Sequence, residues 1–162
     1  MAYLLDADVF IRAKNDHYGF DICPGFWDWL IREAGARNVL SIEEIQLQLL
    51  AGTDELASWV KDDGRELFVP LGSDLAPVFA QISAWVVNRG FRRHAIDSFF
   101  DDPDYYLIAH ALAGNHTVVT HERSEPVRRG QVKIPDVCAG LGVDCIDPFG
   151  MLRTAGARFE LR

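Results

Sequence analysis

Cysteine is scarce in this 162-residue chain: Cys23, Cys138 and Cys145 are an odd number, and no two form a C-x-x-C pair. This excludes a disulfide framework or a cysteine-rich zinc module, and buried free thiols are expected. Long apolar runs are missing as well. No stretch approaches the roughly 18 uninterrupted apolar residues of a membrane span, so no membrane association is expected. No basic segment or cleavage site precedes the first apolar run, so a cytoplasmic location is expected. Positive charge is in short supply, with 16 Lys and Arg against 24 Asp and Glu and a net charge of −8. That argues against a surface generally attractive to polyanions. It does not exclude nucleic acid, because clustered carboxylates hold cations that reverse the local sign. His17, His94, His110, His116 and His121 show no zinc-ligand spacing with cysteine and read as core or surface side chains. Internal repeats, linkers and low-complexity segments are absent.

What is present is a normal apolar fraction, 49 %, enough for the core of one domain over residues 1–162. Strand-like runs fall at 3–6, 38–42, 66–71, 117–121 and 144–146. Helix-like stretches lie between them. Pro24 and Gly25 open "FWDWLIREAG". Ser41 suits an N-cap for "IEEIQLQLL", with Glu44 as its capping-box partner. Thr53 suits a cap for "DELASWVKD", and Ser73 begins a helix that Gly90 ends. Another helix starts near Pro103, and "PFGMLRTAG" makes a last one. Alternation of this kind predicts an α/β fold, with a central, mostly parallel sheet flanked by helices on both faces. Ligands in such sheets sit beyond the carboxyl ends of the strands.

The run "YLLDADVFI" reads as a buried strand, yet it carries Asp6 and Asp8 where the strand should end. Two further acids share such a position: Asp104 in the first turn of "PDYYLIAHAL", and Glu122 just after "TVVTH". Each has a plain reading as a cap, a dipole partner or a solvated loop acid. Together they converge on one sheet edge. Two carboxylates about 4 Å apart repel by roughly 4 kcal/mol at an effective dielectric of 20. A hard divalent cation removes that repulsion. Mg²⁺ takes one or two carboxylates, keeps waters and leaves room for phosphate, the chemistry of metal-dependent phosphodiester hydrolysis.

In order along the chain, "LLDADVFI", "SIEEIQLQLL", "DPDYYLIAHAL" and "VVTHE" resemble the four motifs of the PIN domain, the fold of many VapC-type toxin ribonucleases. More narrowly, "PGFWDWL", "DELASWVKD" and "KIPDVC" resemble a PIN-like family long known only as a domain of unknown function and linked to toxin–antitoxin gene pairs. The resemblance implies a PIN-like fold and a ribonuclease using Mg²⁺ or Mn²⁺ on Asp6, Asp104 and Glu122. It also implies supporting roles for Thr120 and Ser41 and an antitoxin partner; a homodimer is a further expectation. One position departs from the pattern: Gln48 stands where the second motif ends in Glu. Glu44, one turn earlier, or Asp8 offers a substitute fourth acid. A weak site and a silencing substitution are the other readings. A degenerate, non-catalytic binding module and a small-phosphoester hydrolase stand as alternatives to the ribonuclease.

Basic residues gather at Arg92 and Arg93, and again at Arg123, Arg128, Arg129 and Lys133 just beyond Glu122. The second group is placed to carry RNA phosphates toward the acids, or is a solvated loop. Asp97, Asp101 and Asp102 crowd the approach to Asp104 and read as a solvated acidic loop, with a second-metal ligand as the sharper alternative. Trp27, Trp29, Trp59 and Trp85 sit in helical periods and read as core or dimer contacts rather than stacking platforms.

Overall fold

In the computed structural model, which describes residues 1–161, five short strands make one sheet. They are β1 (Tyr3–Leu5), β2 (Val39–Ile42), β3 (Phe68–Val69), β4 (Thr117–Val119) and β5 (Cys145–Ile146). Their order is β3-β2-β1-β4-β5, and every pairing is parallel. The sheet is thus more uniform than the mostly parallel one expected. Parallel neighbours need crossovers, and helices fill every interval between consecutive strands. Leu4, Leu5, Val118 and Val119 are essentially inaccessible, because the central strands are covered on both faces and are therefore aliphatic rather than alternating.

The helices are α1 (Ala7–Arg12), α2 (Pro24–Gly35), α3 (Glu43–Leu50), α4 (Glu55–Asp62), α5 (Ala76–Val87), α6 (Arg93–Asp101), α7 (Pro103–Gly114), α8 (Ile134–Leu141) and α9 (Pro148–Thr154). A single π-helical turn, Ala13–His17, follows α1. Pro24 starts α2, where a missing N–H costs nothing, and the buried Phe26, Trp27, Leu30 and Ala34 recur at helical spacing. Trp27 packs edge-on against Trp59 at 4.8 Å and donates its indole N–H to the Tyr18 carbonyl at 2.7 Å. Of the four tryptophans, Trp27, Trp29 and Trp59 are core residues, while Trp85 is half-buried. None of the described helices is long and apolar enough to cross a membrane.

Several local expectations are corrected. Ser41 does not cap α3: it is the third residue of β2, and its hydroxyl donates to the Leu5 carbonyl at 2.7 Å, tying β2 to β1. Ile42 takes the cap position without a side-chain bond. Asp54, not Thr53, caps α4 by accepting from the Ala57 N–H at 3.1 Å. The run at 66–71 divides into a 3₁₀ turn, Arg65–Leu67, and the two-residue β3. Asp97 and Asp101 lie on α6 rather than in a loop, and Asp102 caps α7. Cys138 is buried as expected, but Cys23 is only half-buried and Cys145 is exposed; all three are free. Helices α1, α6 and α8, six to nine residues long, were not anticipated.

The order of strands reverses direction at β1. From β1 the chain next adds β2 and β3 on one side and then β4 and β5 on the other. A crevice opens beyond the carboxyl ends of the two strands at such a switch point, here β1 and β4.

Candidate active site

Both strands that flank the crevice end in acids. β1 stops at Leu5, and Asp6 becomes the N-cap of α1, its Oδ1 accepting from the Ala7 N–H at 2.7 Å. Only 5 % of Asp6 is exposed. Its Oδ2 accepts from the Thr120 hydroxyl at 2.9 Å. Because the strand has already ended, Asp8 does not alternate away: it lies in the first turn of α1 and faces the same hydroxyl at 3.4 Å. The other Asp8 oxygen accepts from the His121 N–H at 3.3 Å. Thr120 in turn accepts the Glu122 N–H at 3.1 Å. One buried hydroxyl therefore joins the loop after β4 to two acids of α1.

Glu122 reaches the start of α8, where its Oε2 accepts the Ile134 N–H at 2.8 Å. Asp104 stands in the first turn of α7, and its backbone N–H is held by Asp102 at 2.9 Å. The acids feel one another. Burial foremost, then the charges of Asp8 and Glu122, hold the Asp6 carboxyl well above the usual range, against the pull of Thr120. Asp104 is pushed up to about 10, first by burial and then by Asp6, Asp102 and Glu122. Burial also raises Glu122, although the Ile134 N–H and the Lys133 charge oppose it. Asp6, Asp8, Asp102, Asp104 and Glu122 thus form one electrostatic group.

Of the three candidates for a fourth acid, Asp8 is bound into this group. Gln48 is exposed on α3. Glu44 is half-buried, with Oε2 shielded and unpartnered among the described residues, and its charge bears on His110 of α7. Ser41 lies on the strand beside β1 and bonds backbone only. Arg123, Arg128 and Arg129 are exposed and Lys133 is half-buried, the last 3.6 Å from Glu125. Asp102, read from the sequence as a loop acid or a second-metal ligand beside Asp104, joins the group as the cap of α7. The signal was the Asp-Pro pair, a cap followed by a first-turn proline.

The donor set suits a hard cation: buried carboxylate oxygens and a hydroxyl, with neither thiolate nor imidazole at the centre. As the side chains stand, no three His, Cys, Asp or Glu residues among those described are gathered tightly enough to enclose an ion. An ion would have to draw the carboxylates together.

No curated protein matches the sequence. Among solved structures, the chain is similar to one from VapBC2 of Rickettsia felis, determined bound to a DNA fragment from its promoter. Identity is 16 %, 91 % of this chain and 98 % of that one are covered, and the TM-score is 0.58. It is likewise similar to a chain of VapBC-1 from nontypeable Haemophilus influenzae, at 12 % identity, with the same coverage and a TM-score of 0.54. Both are toxin–antitoxin complexes whose VapC subunit is a PIN-domain toxin, so the fold expected from the four motifs is the one observed. The family model of the domain of unknown function DUF4411 matches residues 3–159, and the chain belongs to that family.

Proposed function

We propose that this protein is a divalent-cation-dependent endoribonuclease and the toxin of a toxin–antitoxin pair. The observation that carries the reading is the group of five acids at the switch point of the sheet, Asp6 buried and Asp8, Asp102, Asp104 and Glu122 half-buried, whose mutual repulsion protonation or a cation relieves. Asp6, Asp104 and Glu122 would hold Mg²⁺ or Mn²⁺, with Asp8 beside them. When bound, the ion would neutralise the acids and polarise an RNA phosphate toward attack by water. The chain's own part is to orient. Thr120 fixes Asp6 and Asp8 through its hydroxyl, and the first turn of α8 fixes Glu122 through Ile134. An antitoxin is the partner suggested by the VapBC complexes that share the fold.

A non-catalytic binding module is the rival reading, supported by the absence of a closed ion cage among the described residues. Fluorescently labelled RNA incubated with Mn²⁺ separates the two. Cleavage that EDTA stops and that Asp104→Asn abolishes is the expected result. No Mn²⁺ uptake by calorimetry, together with no cleavage, would favour the module. Turnover of 5′-nucleotides but not of RNA would favour a small-phosphoester hydrolase.

A further inference from the structure

Beside the acidic group lies a surface of opposite sign, assembled from two segments far apart in sequence. One is the turn from α5 into α6, with Arg89, Arg92 and Arg93; the other is the loop bearing Arg128 and Arg129. The Arg92 N–H donates to the Arg129 carbonyl at 2.9 Å and seams the two together. All five arginines are exposed. Arg93 and Arg128 have surface partners, Asp97 at 3.9 Å and Glu125 at 2.9 Å. Arg89, Arg92 and Arg129 have no carboxylate partner among the described residues. In a chain with net charge −8, five exposed arginines thus share one seam, three of them without a carboxylate partner among the described residues.

Aromatic rings back this seam. The Arg89 guanidinium lies 4.6 Å from the centre of the Trp85 ring and that of Arg129 lies 5.6 Å from Phe91. The two rings are 6.3 Å apart. A guanidinium laid on a ring can still present N–H donors to phosphate oxygens; Arg129 Nη1 donates to the Pro126 carbonyl at 2.7 Å, which leaves its other N–H groups for that role. Gly90, at φ 77°, makes the turn that sets Arg89 and Phe91 on the same surface, a conformation that other residues adopt at a cost.

The same two segments continue into the walls of a cleft of about 270 Å³. α6 contributes Ala95, Ser98 and Phe99, residues 130–132 form the facing wall, and Asp102 and Asp104 line it as well. The arginines therefore stand where both walls begin, and two of the acids, Asp102 and Asp104, lie along the same groove.

We propose that this arginine–aromatic seam is the track along which single-stranded RNA enters the cleft, with its phosphates on Arg89, Arg92 and Arg129. The choice of RNA rests on the ribonuclease reading above. Anisotropy of a short, fluorescein-labelled single-stranded RNA, titrated with the full chain in EDTA at several salt concentrations, tests the track without cleavage. The triple variant Arg89→Gln, Arg92→Gln, Arg129→Gln should bind about tenfold more weakly or worse. Its slope of log affinity against log salt should flatten by about two, since each phosphate contact on a single strand contributes roughly 0.7. A control triple, Arg32→Gln, Arg65→Gln, Arg158→Gln, removes equal charge elsewhere and should match the wild type. Equal losses in both triples, or unchanged binding by the seam variant, would overturn the proposal. So would tighter seam-dependent binding to phosphatidylglycerol vesicles than to RNA. Thermal melting checks that each variant is folded. Mn²⁺-dependent hydrolysis of bis(p-nitrophenyl) phosphate, a diester small enough to bypass the seam, should survive in the seam triple. If the wild type hydrolyses neither that diester nor RNA but still binds RNA through the seam, the ribonuclease reading falls and the track stands.

Discussion

Replacing Thr120 with valine keeps the shape of the side chain and removes one oxygen. That residue is 2 % exposed, so water does not step in. A threonine hydroxyl has a single proton to give. It goes to Asp6 at 2.9 Å, with Asp8 at 3.4 Å as the poorer alternative. The oxygen also accepts the Glu122 N–H at 3.1 Å. Losing a hydrogen bond to a charged group costs about 1.5–3 kcal/mol, and orphaning a buried N–H costs about 1–3 kcal/mol. The two losses share one network and are not additive, so about 3 kcal/mol is expected in total. In a chain of this length 1 kcal/mol moves Tm by about 2–4 °C, which gives a drop of about 6–12 °C. Thr120→Ser keeps the hydroxyl and sheds a methyl, for about 1 kcal/mol. Because the hydroxyl favours the ionised form of Asp6, the valine penalty should be larger near pH 8 than near pH 5. Urea and thermal melts of both variants at the two pH values provide the measurement. A valine variant as stable as the serine one would refute the hydroxyl's role.

Asp6→Asn is expected to abolish cation-dependent RNA cleavage and to raise the Tm of the metal-free protein by relieving repulsion; undiminished cleavage at saturating Mn²⁺ would remove Asp6 from the mechanism. Asp6 and Asp104 bind protons more tightly in the folded than in the unfolded chain, Asp104 with a value of about 10. Their contribution is full below the unfolded carboxyl range, near pH 4, and is lost as pH rises toward about 10. Urea melts in EDTA should therefore show stability falling from about pH 5 to about pH 9, and Mn²⁺ should flatten the trend. Gln48→Glu places its charge in solvent and should leave Mn²⁺ affinity unchanged in calorimetry, whereas Asp8→Asn should weaken it; the opposite pattern would return the fourth acid to α3. Gly140→Ala sets a methyl against the Trp85 indole and should cost about 1–3 kcal/mol in a urea melt, unless the ring shifts freely.

The parallel sheet was legible because its strands are aliphatic runs separated by helical periods; Asp6, Asp104 and Glu122 stood out in the sequence because no apolar pattern explained them. Asp8 was ambiguous for a geometric reason. In a strand it would point away from Asp6, and only the end of β1 at Leu5 turns both toward Thr120. Ser41 illustrates the opposite difficulty. A serine before two glutamates has the composition of a helix cap, but the Leu5 carbonyl on the neighbouring strand, 36 residues away, claimed its hydroxyl. Propensity is local, and such tertiary partners override it. The joining of Arg92 to Arg129 was hidden for the same reason.

The bond between Thr120 and Asp6 spans 114 residues of sequence. β1 has no β4 to pair with until residues 117–119 have been made, so this closure falls late in folding, with a high contact order. During synthesis Asp6 leaves the ribosome long before the hydroxyl that orients it. A nascent chain that has not yet exposed Thr120 therefore has its first acid but no assembled centre, and any chemistry waits for that residue. A cell making a harmful nuclease of this design gains that delay from topology alone, before any inhibitor arrives.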